Sequence, residues 1–202
     1  MTAITLAPVS WQRMKQGIEQ VRHRLERAAA ALAGAGVPYA VVGGNAVAAW
    51  VSRVDIAAVR NTRDVDILLR RADFARAQGA LETAGFAHRR VASPGKAGAM
   101  DVFLDSPEAN VRDAVHILWA GGRAVPDAIE PTPELTRTEH AEGFELIPLE
   151  DLLRMKLTSF RDKDRMHLRD LAGVGLVDAS WLPRFSAPLA ERLRLILDDP
   201  EG

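Results

Sequence analysis

Two aspartates stand two residues apart at the leading edge of an apolar run, Asp64-Val65-Asp66-Ile67-Leu68-Leu69, and no other feature of the chain narrows its fold and chemistry as much. In a β-strand, residues two apart point to the same face, which sets these two carboxylates side by side at the edge of a sheet. Two like charges held that close need a cation. Magnesium prefers hard oxygen ligands and takes one or two carboxylates together with the oxygens of a substrate phosphate, which suits such a pair. A solvated pair at a strand end is the other reading of so short a motif, and the motif alone does not separate the two.

About twenty residues upstream, Tyr39 to Val42 forms a short apolar run rich in β-branched residues. Gly43-Gly44 stops it ahead of the alanine-rich segment Asn45 to Val51. The pattern reads as strand, tight turn, helix. Glycines let a backbone approach a ligand closely, and the first amides of the following helix can receive a phosphate; an ordinary tight turn is the plainer alternative. Before this unit, Ile18, Val21, Leu25, Ala29 and Leu32 recur at helical spacing, which predicts an amphipathic helix from Trp11 to Gly36. After it come a strand over Val65 to Leu69 and a helix over Ala72 to Ala84 closed by Gly85. Two further strands follow, Met100 to Leu104 and Val111 to Trp119. The stretch from Pro126 to Glu142, with Pro131 and Pro133, reads as an irregular connection and a boundary. Beyond Pro148, leucines at helical spacing predict a helical lobe. The expected organisation is a core over residues 1–145 and a C-terminal lobe over 146–202.

Composition excludes more than it selects. With 48% hydrophobic and 26% charged residues, the 202-residue chain carries enough apolar content for one well-buried core with a small appended lobe. A formal net charge of −1 removes the global positive field of a non-specific nucleic-acid binder, so any RNA or DNA contact must be local. The absence of cysteine rules out disulfides, thiolate zinc sites and cysteine nucleophiles. Met1 to Trp11 lacks a charged segment followed by an apolar run, and no stretch reaches bilayer-spanning length, so a soluble cytoplasmic protein with no membrane partner is expected.

Taken together, Val41-Val42-Gly43-Gly44, a helix, and then Arg60-Asn61-Thr62-Arg63-Asp64-Val65-Asp66-Ile67-Leu68-Leu69 resemble the signature of the nucleotidyltransferase superfamily. They look closest to the minimal bacterial branch that includes the AbiEii-type toxins. Pro148-Leu149-Glu150-Asp151-Leu152-Leu153-Arg154-Met155-Lys156 and Arg161-Asp162-Lys163-Asp164 are similar to the helical part of those proteins. The resemblance implies an α/β (α+β) fold, a mixed sheet flanked by helices with a C-terminal helical lobe. It also implies metal-dependent transfer of a nucleoside monophosphate from a nucleoside triphosphate to an acceptor hydroxyl. Carried over, Asp64 and Asp66 bind Mg2+ or Mn2+, Gly43, Gly44 and the following position hold the triphosphate, and Lys156 contacts phosphates. Arg60 and Thr62 join the nucleotide-binding set. The acceptor is open between a tRNA end, a protein and a small molecule such as an aminoglycoside, and an antitoxin partner is implied only by the branch.

Two positions depart from the family pattern. Asn45 stands where serine is common and still donates through its amide. His116 stands on a later strand where a third acid is expected; it is a poor magnesium ligand, a good proton acceptor near neutral pH, and suits manganese or zinc better. Three readings follow: His116 is a general base, Asp113 or Asp101 supplies the missing carboxylate, or the site binds nucleotide without turnover. In an unbulged strand Asp113 and His116 face opposite sides and cannot both line one site. Lys163, His167 and Asp170 share one helical face, either solvated or salt-bridged within the chain, or lining the cleft opposite Asp64 and Asp66. Arg60 and Arg161 are open in the same way.

Overall fold

The computed structural model describes residues 9–92, 99–123 and 127–200. The first eight residues and Pro126 of the expected connection lie outside the described residues. Ser10 opens helix α1 (Trp11–Gly34), its hydroxyl accepting from the amide of Arg13 at 3.2 Å. The buried residues of α1 are all in its second half, Arg24, Leu25, Ala28, Ala29 and Leu32, where small alanines let the helix lie close to the sheet. Gly36, at φ 61°, turns the chain into β1 (Tyr39–Val42).

From β1 the chain enters helix α2 (Gly43–Ser52) with no intervening loop, then returns antiparallel as β2 (Val65–Leu69). Helix α3 (Phe74–Thr83) leads to the hairpin of β3 (Ala87–Ala92) and β4 (Ala99–Leu104), and β5 (Val115–Trp119) runs parallel to β2. The short strands β6 (Glu139–Ala141) and β7 (Phe144–Leu146) close the other edge, giving seven strands in the order β3-β4-β5-β2-β1-β7-β6. Helices α4 (Leu149–Ser159), α5 (Asp162–Gly173) and α6 (Ala187–Asp198) follow.

The alternation of the central strands sorts two cores. Tyr39, Val41, Val65, Ile67, Leu69, Val115 and Ile117 pack against α1 and α3. Ala40, Val42 and Leu68 pack on the opposite face with α2, α4, α5 and α6 in one buried core. The boundary expected after residue 145 falls inside β7, whose Leu146 is the Cα partner of Val41 of β1.

Two local expectations are corrected, and one strand, β3, was not anticipated. Val111 to Trp119 is not one strand: Val111–Asp113 is a 3-10 turn, opened by Asn110, whose side chain accepts from the amide of Arg112 at 2.9 Å. The stretch after Pro126 is not wholly irregular, since β6 begins at Glu139 and turns through Gly143 at φ 88°. Strand β3 carries no apolar alternation because it is an edge strand, where charged residues such as Arg89 and Arg90 are tolerated.

Leu168 of α5 is 1% exposed within the core that joins α5 to α2, while Leu195 of α6 is 53% exposed. Leu168→Ala should lower stability by about 2–5 kcal/mol in denaturant unfolding, because it leaves a cavity. Leu195→Ala should change it by no more than about 0.5 kcal/mol.

Candidate active site

Register across three strands builds the centre of the site. Val42 is the partner of Asp66 in the antiparallel pair β1–β2, and Asp66 is the partner of His116 in the parallel pair β2–β5. Partners share a face, so the Asp66 and His116 side chains emerge together on the face that carries α2. Asp64 lies in the bend one residue before β2. Its orientation comes from neighbours rather than from the pleat: Thr62 Oγ1 donates to Asp64 Oδ1 at 2.7 Å, and Asn45 Nδ2 donates to the Asp64 carbonyl at 2.7 Å. Asp64, Asp66 and His116 each offer one ligand atom, and these atoms lie within 4.8 Å of one another.

The glycines are required by this packing before any ligand is considered. Gly43 has φ 69°, and a Cβ there would fall 2.0 Å from Asp66 Oδ2. A Cβ on Gly44 would come within 2.9 Å of both Cβ and Oγ1 of Thr62. No side chain caps the start of α2, so its first amides open beside Asp66.

His116 Nε2 lies 2.8 Å from the Val111 carbonyl, which can only accept, so Nε2 carries a proton. Nδ1 faces the carboxylates, 3.5 Å from Asp66 Oδ1 and 3.7 Å from Asp64 Oδ2. Burial alone would lower the His116 pKa, but Asp66, the Val111 carbonyl and Asp64 raise it above its ordinary value. For Asp66, burial works upward, and His116, with Lys156 and Lys163 beyond it, brings the carboxyl below its usual range.

Next to this cluster opens a cavity of about 340 Å³, whose lining includes Gly43, Asp66, Leu118, Met155, Lys156 and Lys163. Lys156 is buried and its Nζ donates to Asp164 Oδ1 at 3.1 Å. Asp164 is fully buried, yet Arg161, Lys156 and Ser159 hold it ionised far below the carboxylate range. Lys163, the second residue of α5, is exposed and makes no ion pair among the described residues. Residues 127–132 also line the cavity, pinned there by Glu130, which accepts from Arg154 at 2.8 Å and from Ser186 at 2.6 Å. The sequence reading treats this segment only as a connection; its one signal was the pair of acids, Asp127 and Glu130, between two prolines.

Among the remaining expected residues, Arg60 is drawn to α5, where its Nε donates to Asp170 Oδ1 at 2.8 Å. Asp113 is held outside the site by Arg63 at 2.9 Å. Asp101 sits on the other face of the sheet, bonded to His88 at 2.9 Å. The reason is register: its neighbour Val102 is the partner of His116, so Asp101 must point away. Neither acid can supply a third carboxylate here. Of the α5 face, Lys163 reaches the cavity, Asp170 serves Arg60, and the buried His167 Nδ1 has no hydrogen-bond partner among the described residues.

A mixed sheet with a strand–glycine–helix unit set against an Asp-x-Asp strand defines a nucleotidyltransferase fold. The chain belongs to the family described as uncharacterised nucleotidyltransferase, whose sequence model matches residues 9–158. No curated protein matches it by sequence. Among solved structures, an antigenic nucleotidyltransferase-like protein from Paracoccidioides brasiliensis shares the fold at 19% identity. That match covers 91% of this chain and 90% of the other, with a TM-score of 0.53. The antibiotic-resistance factor ANT(2'')-Ia in solution is a looser match, at 15% identity over 89% and 83% of the two chains and a TM-score of 0.45. No helix among the described residues is long and apolar enough to cross a membrane.

Two outcomes follow from this packing. Gly44→Ala should lose about 1–3 kcal/mol of stability in the absence of any ligand, since the new methyl meets Thr62. An unchanged unfolding midpoint would show that Thr62 yields freely. Burial, with Lys156 and Lys163 acting the same way against Asp164 and Asp170, lowers His167 from 6.5 to about 4. A depressed histidine leaves stability whole above its unfolded pKa and removes it as the unfolded chain takes up the proton first. The His167 contribution should therefore fade as pH drops from about 6.5 to about 4, and His167→Gln should flatten that part of the urea-midpoint profile.

Proposed function

We propose that the chain transfers a nucleoside monophosphate from a nucleoside triphosphate to an acceptor hydroxyl at the Asp64–Asp66 centre. The observation that carries the reading is the convergence of two carboxylates and the His116 ring at the uncapped start of α2, on the rim of a cavity holding Lys156 and Lys163. Three lone-pair-bearing atoms turned toward one another suit a divalent cation, so the donor set fits the metal that the family resemblance implies. Asp64 and Asp66 would hold Mg2+ or Mn2+, which when bound neutralises charge on the phosphates.

The rest of the work falls to the protein. The acceptor hydroxyl loses its proton to solvent as its oxygen forms a bond to the α-phosphorus, and the bond from that phosphorus to the bridging oxygen breaks, releasing pyrophosphate. Amides at the start of α2 and the unpaired Lys163 receive phosphate oxygens, while Lys156, already committed to Asp164, contributes field rather than a free hand. Thr62 and Asn45 keep Asp64 aimed through the step. His116 belongs with the cation-holding groups rather than acting as a general base, since one of its nitrogens is spent on Val111 and the other faces the carboxylates. The narrower likeness to AbiEii-type toxins, and with it an antitoxin partner, rests on the sequence motifs alone.

The test is incubation with each labelled nucleoside triphosphate, Mg2+ or Mn2+, and in turn cellular RNA, protein and small hydroxyl compounds, followed by detection of transferred label. Asp66→Asn should cut transfer by at least about 10²-fold. Lys163→Met should raise the nucleotide KM more than it lowers kcat, as loss of a phosphate contact made in the ground state requires. Nucleotide binding with no label moved to any acceptor would reduce the protein to a nucleotide-binding one.

A further inference from the structure

We infer that His116 makes this centre a mixed nitrogen–oxygen site that selects Mn2+ over Mg2+, with Nδ1 bonded directly to the ion. The inference rests on the reading that Asp64 and Asp66 hold a divalent cation, and it adds the identity of the ion and the atom that chooses it.

The ring has one available orientation. Its Nε2 proton is committed to the Val111 carbonyl at 2.8 Å, and that carbonyl belongs to a 3-10 turn whose start is tied by the Asn110 side chain. The Cα of His116 is set opposite Asp66 on one side and Val102 on the other, and its side chain is 13% exposed. A neutral ring in that pose directs the Nδ1 lone pair at two carboxylate oxygens, 3.5 and 3.7 Å away. No group among the described residues donates to Nδ1 at hydrogen-bond distance apart from what those two acids could share with it. A cation common to all three atoms would take the place of the proton through which His116 and Asp66 attract each other.

A backbone carbonyl that takes one ring proton and aims the other nitrogen is the usual support of a metal-bound imidazole. Magnesium demands oxygen donors and keeps its waters, whereas imidazole nitrogen is accepted by Mn2+ and by the divalent ions after it in the first transition row. An acid at position 116 would make the site all-oxygen and suit Mg2+. The histidine is therefore a specificity-determining residue, and the carboxylates alone do not decide the ion.

The experiment uses the full chain and the metals alone. Mn2+ is titrated while its free-ion electron paramagnetic resonance signal is followed, Mg2+ is measured by competition, and pulsed resonance on the Mn2+-loaded protein looks for nitrogen hyperfine coupling. The wild-type protein should show that coupling and His116→Asp should lose it, with the Mn2+ to Mg2+ affinity ratio falling at least about tenfold. Mn2+ bound in an Asp66-dependent way without nitrogen coupling would overturn the inference and leave the carboxylate site standing. A ratio unmoved by His116→Asp would overturn it as well. Binding unaffected by Asp66→Asn, or no binding at all, would sink the underlying carboxylate reading too, as would a proton on Nδ1 that occupies the gap at every metal concentration. Should His116→Asp fail to fold, the wild-type spectrum alone decides.

Discussion

The register of β2 between β1 and β5 is the constraint on which the site depends. Val65, Ile67 and Leu69 are fully buried against α1 and α3, and each contributes about 1.5–3 kcal/mol by leaving water. A slip of one residue would turn all three out of the packing they make with α1 and α3 and push Asp66 in among those apolar side chains, so the core energy of one face is what aims a carboxylate from the other. The same register brings Gly43 over Asp66 and His116 beside it. Chemistry on this sheet is positioned by hydrophobic burial on its reverse side.

Charge is distributed around that centre by the same economy. Asp66 faces two lysines from the C-terminal helices, yet the two are not equivalent. Lys156 is buried and would be costly without a partner; Asp164 provides one, and is itself satisfied by Ser159 at 2.6 Å and Arg161 at 2.7 Å. Lys163 is exposed and unpaired among the described residues, so it alone retains a donor for an incoming anion. The sequence reading makes Lys156 the phosphate contact and leaves Lys163 either on a solvated or salt-bridged face or lining the cleft; in the structure Lys156 is tied to Asp164 and Lys163 lines the cavity.

How far the site was legible from sequence depended on whether local periodicity carried the information. Asp66 and the glycine turn follow from alternation and from a strand that stops at two glycines. His116 was found through a family position rather than a pattern, and its geometry was not visible, because the Val111 carbonyl that orients it lies in a turn read as strand. Asp101 was a fair candidate by residue type, but its face is decided by the β4–β5 register, in which Val102 stands opposite His116, and residue type does not show that register. The part played by Asp164 was illegible for another reason: nothing in the local charge pattern of Arg161 to Arg165 shows which acid turns inward.

That inward turn explains a costly piece of backbone at the α4–α5 corner. Phe160 is the single non-glycine residue at positive φ among those described, at 47°, a conformation that costs roughly 1–2 kcal/mol for a side chain of this kind. A glycine would remove the strain and also the ring, on which Arg165 and Arg192 stack at 4.6 and 4.9 Å. Arg192 in turn donates to the carbonyls of Leu157 and Thr158, two of the acceptors left open where α4 ends. Below the ring, Asp164 accepts from the Arg161 amide and from Lys156, tying the first turn of α5 to the last turn of α4. The strained residue thus makes the sharp bend that brings Lys156 and Lys163, from successive helices, to one cavity, and of the offsetting contacts Arg161, Arg192 and Asp164 also line it.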